Sequence, residues 1–152
     1  MSREAVRVVL FDEDDRLLLV RFHDGDRSWW CCPGGGIEDG ESDHDAVRRE
    51  LLEEVGLNDV ELGPCVWNRH HIGEYRGEPF DQRERYYVSR TAHFEPALAP
   101  GRPVEHAPED IRWWSLQDIA IGEERFAPGR LAALASAILL EGPPEGPIEA
   151  GV

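Results

Sequence analysis

Three consecutive glycines, Gly34-Gly35-Gly36, run shortly ahead of a segment, residues 43–55, that carries helical signals at both ends. Ser42 stands where an N-cap belongs and Gly56 where a left-handed C-cap glycine belongs. On a helix turning about 100° per residue, Glu50, Glu53 and Glu54 share one arc about 100° wide. Leu51, Leu52 and Val55 fall on the other side and are expected to pack against a sheet. Three like charges on one helix face repel one another. Glu53 and Glu54 also sit in the last turn, where the helix dipole disfavours anions. One reading is an ordinary solvated acidic face. The other is a site for hard divalent cations, which prefer carboxylate oxygen. The glycines favour the second, because a backbone without side chains can approach the helix and offer a carbonyl such as that of Gly35.

Composition narrows the function classes. The chain has 152 residues, 31 acidic and 16 basic, for a net charge of −15. Every basic residue is arginine. An acidic chain is the wrong sign for a nucleic-acid binder that works by neutralising phosphates, and for an electrostatic membrane binder. Without lysine there is no Schiff base and no Walker-type phosphate lysine. Phosphate must be met by arginine, backbone amides or a bound cation. Between Glu38 and Glu54 stand eight acids and two arginines, so −6 of the −15 falls there.

The length suits one ordinary domain, and the 41% apolar content is that of a globular chain. Apolar runs of about five residues are far short of a membrane span. The start MSREAVRVVL has no cleavable signal pattern. Cys31, Cys32 and Cys65 show no metal or redox spacing and are expected as reduced thiols in a cytoplasmic protein. Residues 6–11 and 16–22 read as a hairpin joined by the acidic turn Asp12 to Asp15, which lacks the spacing of a calcium loop. Further strands are expected at 29–32, 60–71, 82–94 and 111–114. A helical turn is expected at 115–119 and an apolar helix at 129–140. The result is an α/β sandwich on a mixed sheet, one domain over residues 1–141, with a flexible Pro/Gly-rich tail at 142–152.

The central stretch resembles the Nudix box: glycine, five residues, glutamate, seven residues, then Arg-Glu-apolar-any-Glu-Glu-any-Gly-apolar. Gly35, Glu41, Arg49, Glu50, Leu51, Glu53, Glu54, Gly56 and Leu57 fill all nine specified positions. Tryptophan ahead of Pro33-Gly34-Gly35 and the later Arg112-Trp113-Trp114-Ser115-Leu116 are also similar to the family. The resemblance implies an α/β/α sandwich around a mixed β-sheet. It implies hydrolysis of a nucleoside diphosphate linked to another group, with two or three Mg2+ or Mn2+ ions. On that resemblance the metal ligands are Gly35 (by its carbonyl), Glu50, Glu53 and Glu54, with Glu41 and Arg49 as a supporting ion pair. Relatives often dimerise, so a homodimer is an expectation.

Bound cations would reverse the repulsion between a polyanionic substrate and an acidic protein and activate a water. The water needs a base. The candidates are Glu53 and Glu54 within the box, Glu105 and Glu109 in the loop before the closing strand, and Glu84; the resemblance to relatives that take the base from that loop favours Glu105 or Glu109. Arg69, Arg83, Arg85 and Tyr75 are candidates to touch the nucleotide. Tyr75 loosely fits a tyrosine of diadenosine polyphosphate hydrolases, whereas Ile72 and Gly73 stand where the ADP-ribose subgroup often has proline. Nucleoside triphosphates, dinucleoside polyphosphates and nucleotide sugars all remain open. His70 and His71 alternate across a strand and suit packing better than one shared metal. Trp67, Tyr86, Tyr87 and Trp113 suit a core better than a base platform. Two rivals share the fold, an isoprenoid diphosphate isomerase and a non-catalytic nucleotide-sensing or interaction domain. The intact box argues against both.

Overall fold

The computed structural model describes residues 2–98 and 107–152. The elements run β1 (Arg3–Phe11), β2 (Leu17–Asp24), β3 (Arg27–Cys31), β4 (Gly34–Gly36), α1 (Asp43–Val55), β5 (Cys65–Tyr75) and β6 (Glu78–Arg90). They continue with β7 (Asp110–Trp114), α2 (Leu116–Ile121), β8 (Phe126–Ala127), α3 (Leu131–Glu141) and β9 (Ile148–Glu149). The strand order is β8-β3-β2-β1-β6-β5-β9, with β4 added to β1 and β7 to β2. β1 runs parallel to β6, β3 to β8 and β5 to β9, while the other pairs are antiparallel. The sheet is therefore mixed.

The apolar runs of β1 and β2 alternate between two cores. Val6, Val8, Leu10, Leu18 and Val20 pack with Ala46, Val47, Leu51 and Val55 of α1. Val9, Phe11, Leu17 and Leu19 pack with Ile119 of α2 and with Leu131, Leu134, Ala135 and Ile138 of α3. Both faces of the sheet are covered, so its central strands read as unbroken apolar runs instead of alternating ones. This is the expected α/β/α sandwich. The acidic turn after β1 is closed by Asp12, whose side chain accepts the amides of Asp14 at 2.9 Å and Arg16 at 3.0 Å. Among the described residues no helix is long and apolar enough to cross a membrane.

Three expectations need correction. The strands expected at 60–71 and 82–94 are displaced: β5 and β6 extend toward each other and form one long hairpin. Arg76 and Gly77, at φ 52° and 83°, make its two-residue turn. Gly73, Glu74, Glu78 and Pro79 lower strand propensity and hid this extension. Pro79 is tolerated because it precedes Gln82, the first β6 residue opposite β1. Gly34–Gly36, outside every expected strand, form β4, in register with Ala5, Val6 and Arg7. A Cβ on Gly34 would lie 2.0 Å from the Val6 carbonyl oxygen, so only glycine fits.

The tail is the third. β9 pairs with Trp67 and Asn68, and Ala150 is buried in the α3-side core. The Arg69 Nε donates to the Gly151 carbonyl at 3.0 Å, and the Gly129 amide donates to that of Val152 at 3.0 Å. Glycine and proline set the shape of this stretch, but Ala150 and the arginine anchor it. Removing residues 148–152 should destabilise the fold by about 2 kcal/mol, from lost hydrogen bonds and apolar burial. In thermal melts this corresponds to a drop of roughly 4–8 °C. An unchanged melting temperature would show that the tail contributes nothing.

Candidate active site

Helix α1 begins and ends where its sequence signals place it. Ser42 Oγ accepts the Asp45 amide at 3.1 Å, and Gly56 closes the helix at φ 70°. Its faces differ from expectation, however. Glu50 and Glu54 are only 5% and 1% exposed and lie in the same buried arc as Ala46, Val47 and Leu51. Leu52 instead points outward, 48% exposed. Two carboxylates thus stand in the face that packs on the sheet. Burying such groups is costly unless they are hydrogen-bonded or paired. Strand β4 explains how they fit. The Gly34 amide donates to Glu54 Oε1 at 2.9 Å. A Cβ on Gly35 would come 2.6 Å from Glu50 Oε1, so the missing side chain is the space that the Glu50 carboxylate occupies.

Arg49 gathers the remaining acids. Its Nε and Nη2 donate to the two carboxylate oxygens of Glu41 at 2.6 and 2.9 Å, a bidentate pair. This bonding holds the Glu41 carboxyl below its ordinary range. Arg49 Nη1 reaches Glu50 at 3.0 Å and Glu53 at 3.2 Å, and Nη2 donates to the Gly36 carbonyl at 3.0 Å. One guanidinium therefore fixes the glycine strand, the loop acid and two helix glutamates relative to each other. Among the described residues no three His, Cys, Asp or Glu side chains stand preassembled around a single point. The donor set is nonetheless all oxygen (three carboxylates and the adjacent glycine backbone), which suits magnesium or manganese rather than a softer ion.

On the α3 side of the same strands lies a second charged group. Glu84 is 2% exposed, and Arg7 Nε and Arg69 Nη1 bind its two oxygens at 2.6 and 2.8 Å. Gln82 and Tyr86 also donate to it. Burial alone would push this carboxyl up, but the two guanidinium groups outweigh it and hold it at about 2. An acid held that low and fully bonded is a poor proton acceptor, which removes Glu84 from the candidate bases.

The other sequence candidates scatter. Glu109 is bound by Arg21 Nε and His23 Nδ1, each at 2.9 Å, at the junction of β2 and β7. Glu105 lies outside the described residues. Arg69 is buried against Glu84 and the tail. Arg85 grips Asp43 at 2.6 and 2.9 Å and Glu4 at 2.8 Å, tying the start of α1 to β6. Arg83 is exposed, and Tyr75 is half-buried at the end of β5. His70 meets Asp81 at 2.7 Å, whereas His71 packs on Phe80, so the two histidines part as expected. Trp67 and Tyr86 are core residues. The Tyr87 hydroxyl donates to Asp43 at 2.5 Å, and Trp113 donates to the Phe94 carbonyl at 2.8 Å. Cys31 and Cys32 are buried, and burial pushes the Cys31 thiol up to about 11, so both are packing groups.

Sequence reasoning missed Arg7, because a lone arginine in an apolar strand gives no local signal. Its partner lies 77 positions away. Replacing Glu84 with Gln leaves two buried guanidinium groups without their anion and should cost about 3–5 kcal/mol at pH 7. A depressed carboxyl stabilises the fold above its unfolded value, near 4.5, and loses that contribution as pH falls toward 2. In urea melts the gap between wild type and Glu84→Gln should be widest at pH 7 and shrink by pH 2.5. A pH-independent gap would contradict this reading.

Known proteins place these observations in context. The family description "NUDIX domain" matches residues 1–135. The RNA pyrophosphohydrolase of Wolbachia sp. subsp. Drosophila simulans (strain wRi) is 33% identical over 104 residues, 58% of this chain and 59% of that protein. The RNA pyrophosphohydrolase of Sulfurovum sp. (strain NBC37-1) is 44% identical over 70 residues, 42% of this chain and 45% of that one. The chain thus spans about half the length of these curated relatives. Among solved structures, the MutT protein from Methanosarcina mazei Go1 superposes with a TM-score of 0.67 at 19% identity, covering 92% of this chain and 94% of that one. The domain match spans most of the chain and contains the glycine strand, Arg49 and all three helix glutamates, so the chain belongs to the Nudix family.

Proposed function

We propose that the protein hydrolyses a pyrophosphate bond in a nucleoside diphosphate linked to another group, using Mg2+ or Mn2+. The observation that carries this reading is the burial of Glu50 and Glu54 against a strand of glycines. A fold gains nothing in stability from two carboxylates in a packing face, and apolar residues there would be better. Their retention fits a site that concentrates negative charge for cations.

In this reading Glu50, Glu53, Glu54 and the Gly35 carbonyl hold the metal. When bound, the metal supplies neutralisation of phosphate charge and a water of lowered pKa. The chain's own residues supply the rest. Arg49 orients Glu50 and Glu53, and Glu41 fixes Arg49 in turn. Gly34 aims Glu54 through its amide. Glu53, 45% exposed and the most open of the three, takes the proton from the attacking water. Glu109 is the second choice, because its carboxylate is already shared between Arg21 and His23.

The curated relatives are named RNA pyrophosphohydrolases, which favours a triphosphate substrate: a free nucleoside triphosphate or the 5′ end of an RNA. Net charge argues against a grip along many backbone phosphates. It does not argue against a single terminal triphosphate met by cations.

A panel of nucleoside triphosphates, dinucleoside polyphosphates, nucleotide sugars and 5′-triphosphorylated RNA, assayed with magnesium and manganese, tests the reading. At least one member should be cleaved, and chelation should abolish turnover. Glu54→Gln keeps an acceptor for the Gly34 amide and should leave the melting temperature nearly unchanged while lowering kcat by at least about 100-fold. Glu41→Gln, which reaches the helix glutamates through Arg49, should cost about 10–100-fold. Wild-type-level turnover in Glu54→Gln would refute the metal assignment.

A further inference from the structure

Arg7 is the one charged residue in the apolar run of β1 from Ala5 to Phe11. Its Nε is committed to Glu84, which Arg69, Gln82 and Tyr86 also hold, so the guanidinium rests against an anchored anion. Glu84 needs only that arm. The other arm reaches elsewhere: Arg7 Nη1 donates to the Cys32 carbonyl at 2.9 Å.

Cys32 lies in the connection between β3 and β4. Pro33 follows it and brings no amide hydrogen. The connection is therefore held by its carbonyls, that of Cys32 by Arg7 and that of Pro33 by the Val8 amide, each at 2.9 Å. The next amide belongs to Gly34, which stands opposite Arg7 in the ladder and donates to Glu54 Oε1 at 2.9 Å. A Cβ on Gly34 would lie 2.7 Å from the Arg7 Cα, so the two backbones pass in close contact there.

This arrangement transmits position with little play. The peptide joining Cys32 to Pro33 is planar, and so is the one joining Pro33 to Gly34. The proline ring fixes its own φ. One soft torsion, the Pro33 ψ, then separates the plane that Arg7 holds from the plane whose N–H meets Glu54. The Val8 bond restrains the second plane at its carbonyl edge, and Arg7 restrains the residue before it. A lysine at position 7 could offer charge to Glu84, but not two donors at a fixed angle.

We propose that Arg7 is a positioning residue of the α1 carboxylate site: by holding the Cys32 carbonyl it aims the Gly34 amide at Glu54. Glu84, on the far face of the sheet, keeps that guanidinium still. The consequence for metal binding and turnover rests on the pyrophosphohydrolase reading, whereas the hold on the Gly34 amide does not.

Arg7→Lys and Arg7→Met, compared with Arg69→Met, separate positioning from bracing. Arg7→Lys keeps a cation beside Glu84. Arg69→Met takes a guanidinium from the same acid but leaves both arms of Arg7 in place. All three variants should melt below wild type. In metal-free, isotope-labelled protein the Gly34 amide proton, deshielded by its charge-assisted bond to Glu54, should move upfield in both Arg7 variants. It should stay in place in Arg69→Met. Mn2+ affinity, read without substrate by electron paramagnetic resonance, should weaken about 10-fold or more in the Arg7 variants, as for other residues that orient metal ligands. On whichever substrate the wild type cleaves, kcat should fall by a similar factor at unchanged KM. Arg69→Met should match wild type in Mn2+ affinity and kcat.

An unmoved Gly34 signal in the Arg7 variants overturns the proposal. So does an Mn2+ affinity that stays at the wild-type value in them, or that falls equally in Arg69→Met. Should Arg7→Met fail to fold, Arg7→Lys carries the same readouts. If wild type binds no Mn2+ and cleaves no substrate, the hydrolase reading has failed, and the Gly34 signal decides alone. Moved by the Arg7 variants only, it supports the positioning role; unmoved, or moved equally by Arg69→Met, it overturns it.

Discussion

Strand β4 and helix α1 meet through glycine on one side and carboxylate on the other, and this contact governs the architecture of the site. Glu54 is held by the Gly34 amide, and Glu50 fills the space where a Gly35 side chain would be. Neither arrangement survives a Cβ on the strand: at Gly34 the added atom would strike the Val6 carbonyl, and at Gly35 the carboxylate itself. Because β4 is hydrogen-bonded to β1, the carboxylates are referenced to the central strand of the sheet rather than to a loop. Sites set on regular elements keep their geometry better than sites set on loops. Arg49 completes the reference by joining the helix to the Gly36 carbonyl and to Glu41.

The same strand β1 carries a second, opposite device. Val6 faces the α1 core, while its neighbour Arg7 points to the other face and joins Glu84 and Arg69 there. Glu84 is thereby braced from β1 and β5 at once, and Arg69 extends the brace to the tail at Gly151. A buried arginine–glutamate–arginine group adds little net stability over apolar packing, but breaking it is costly. The tail, β5, β6 and β1 thus form one connected unit beside the glycine strand.

Much of this was legible in the sequence wherever the signal is local. The bounds of α1, its Ser42 and Gly56 caps and the nine box positions were all readable, because capping and glycine requirements act within a few residues. The burial of Glu50 and Glu54 was not. Helical periodicity assumes that charge faces water, and only the long-range partner β4 reverses that. The extension of β5 and β6 was hidden by Gly73 and Pro79, whose poor strand propensity is overridden by pairing. The docked tail was hidden for a related reason. Its composition reads as disorder, yet Ala150 and the buried Arg69 give it a place. In each failure a tertiary contact outweighs a local preference.

The absence of lysine takes on a sharper meaning in the folded chain. Arginine supplies every fixed positive charge, and four arginines of α1, β1, β5 and β6 are already committed. Arg49 binds Glu41, Glu50 and Glu53; Arg7 and Arg69 bind Glu84; Arg85 binds Asp43 and Glu4. These pairs organise carboxylates, and each guanidinium released to a phosphate would expose the acid it now neutralises. On the proposed reading, then, the protein holds its own anions in place with arginine and meets the anions of its substrate through cations gathered by the unusual helix face. The division is consistent with a chain at −15: a strongly acidic molecule can approach a polyphosphate only where divalent ions reverse the local field. It also leaves the uncharged end of the substrate to be recognised by surfaces other than arginine.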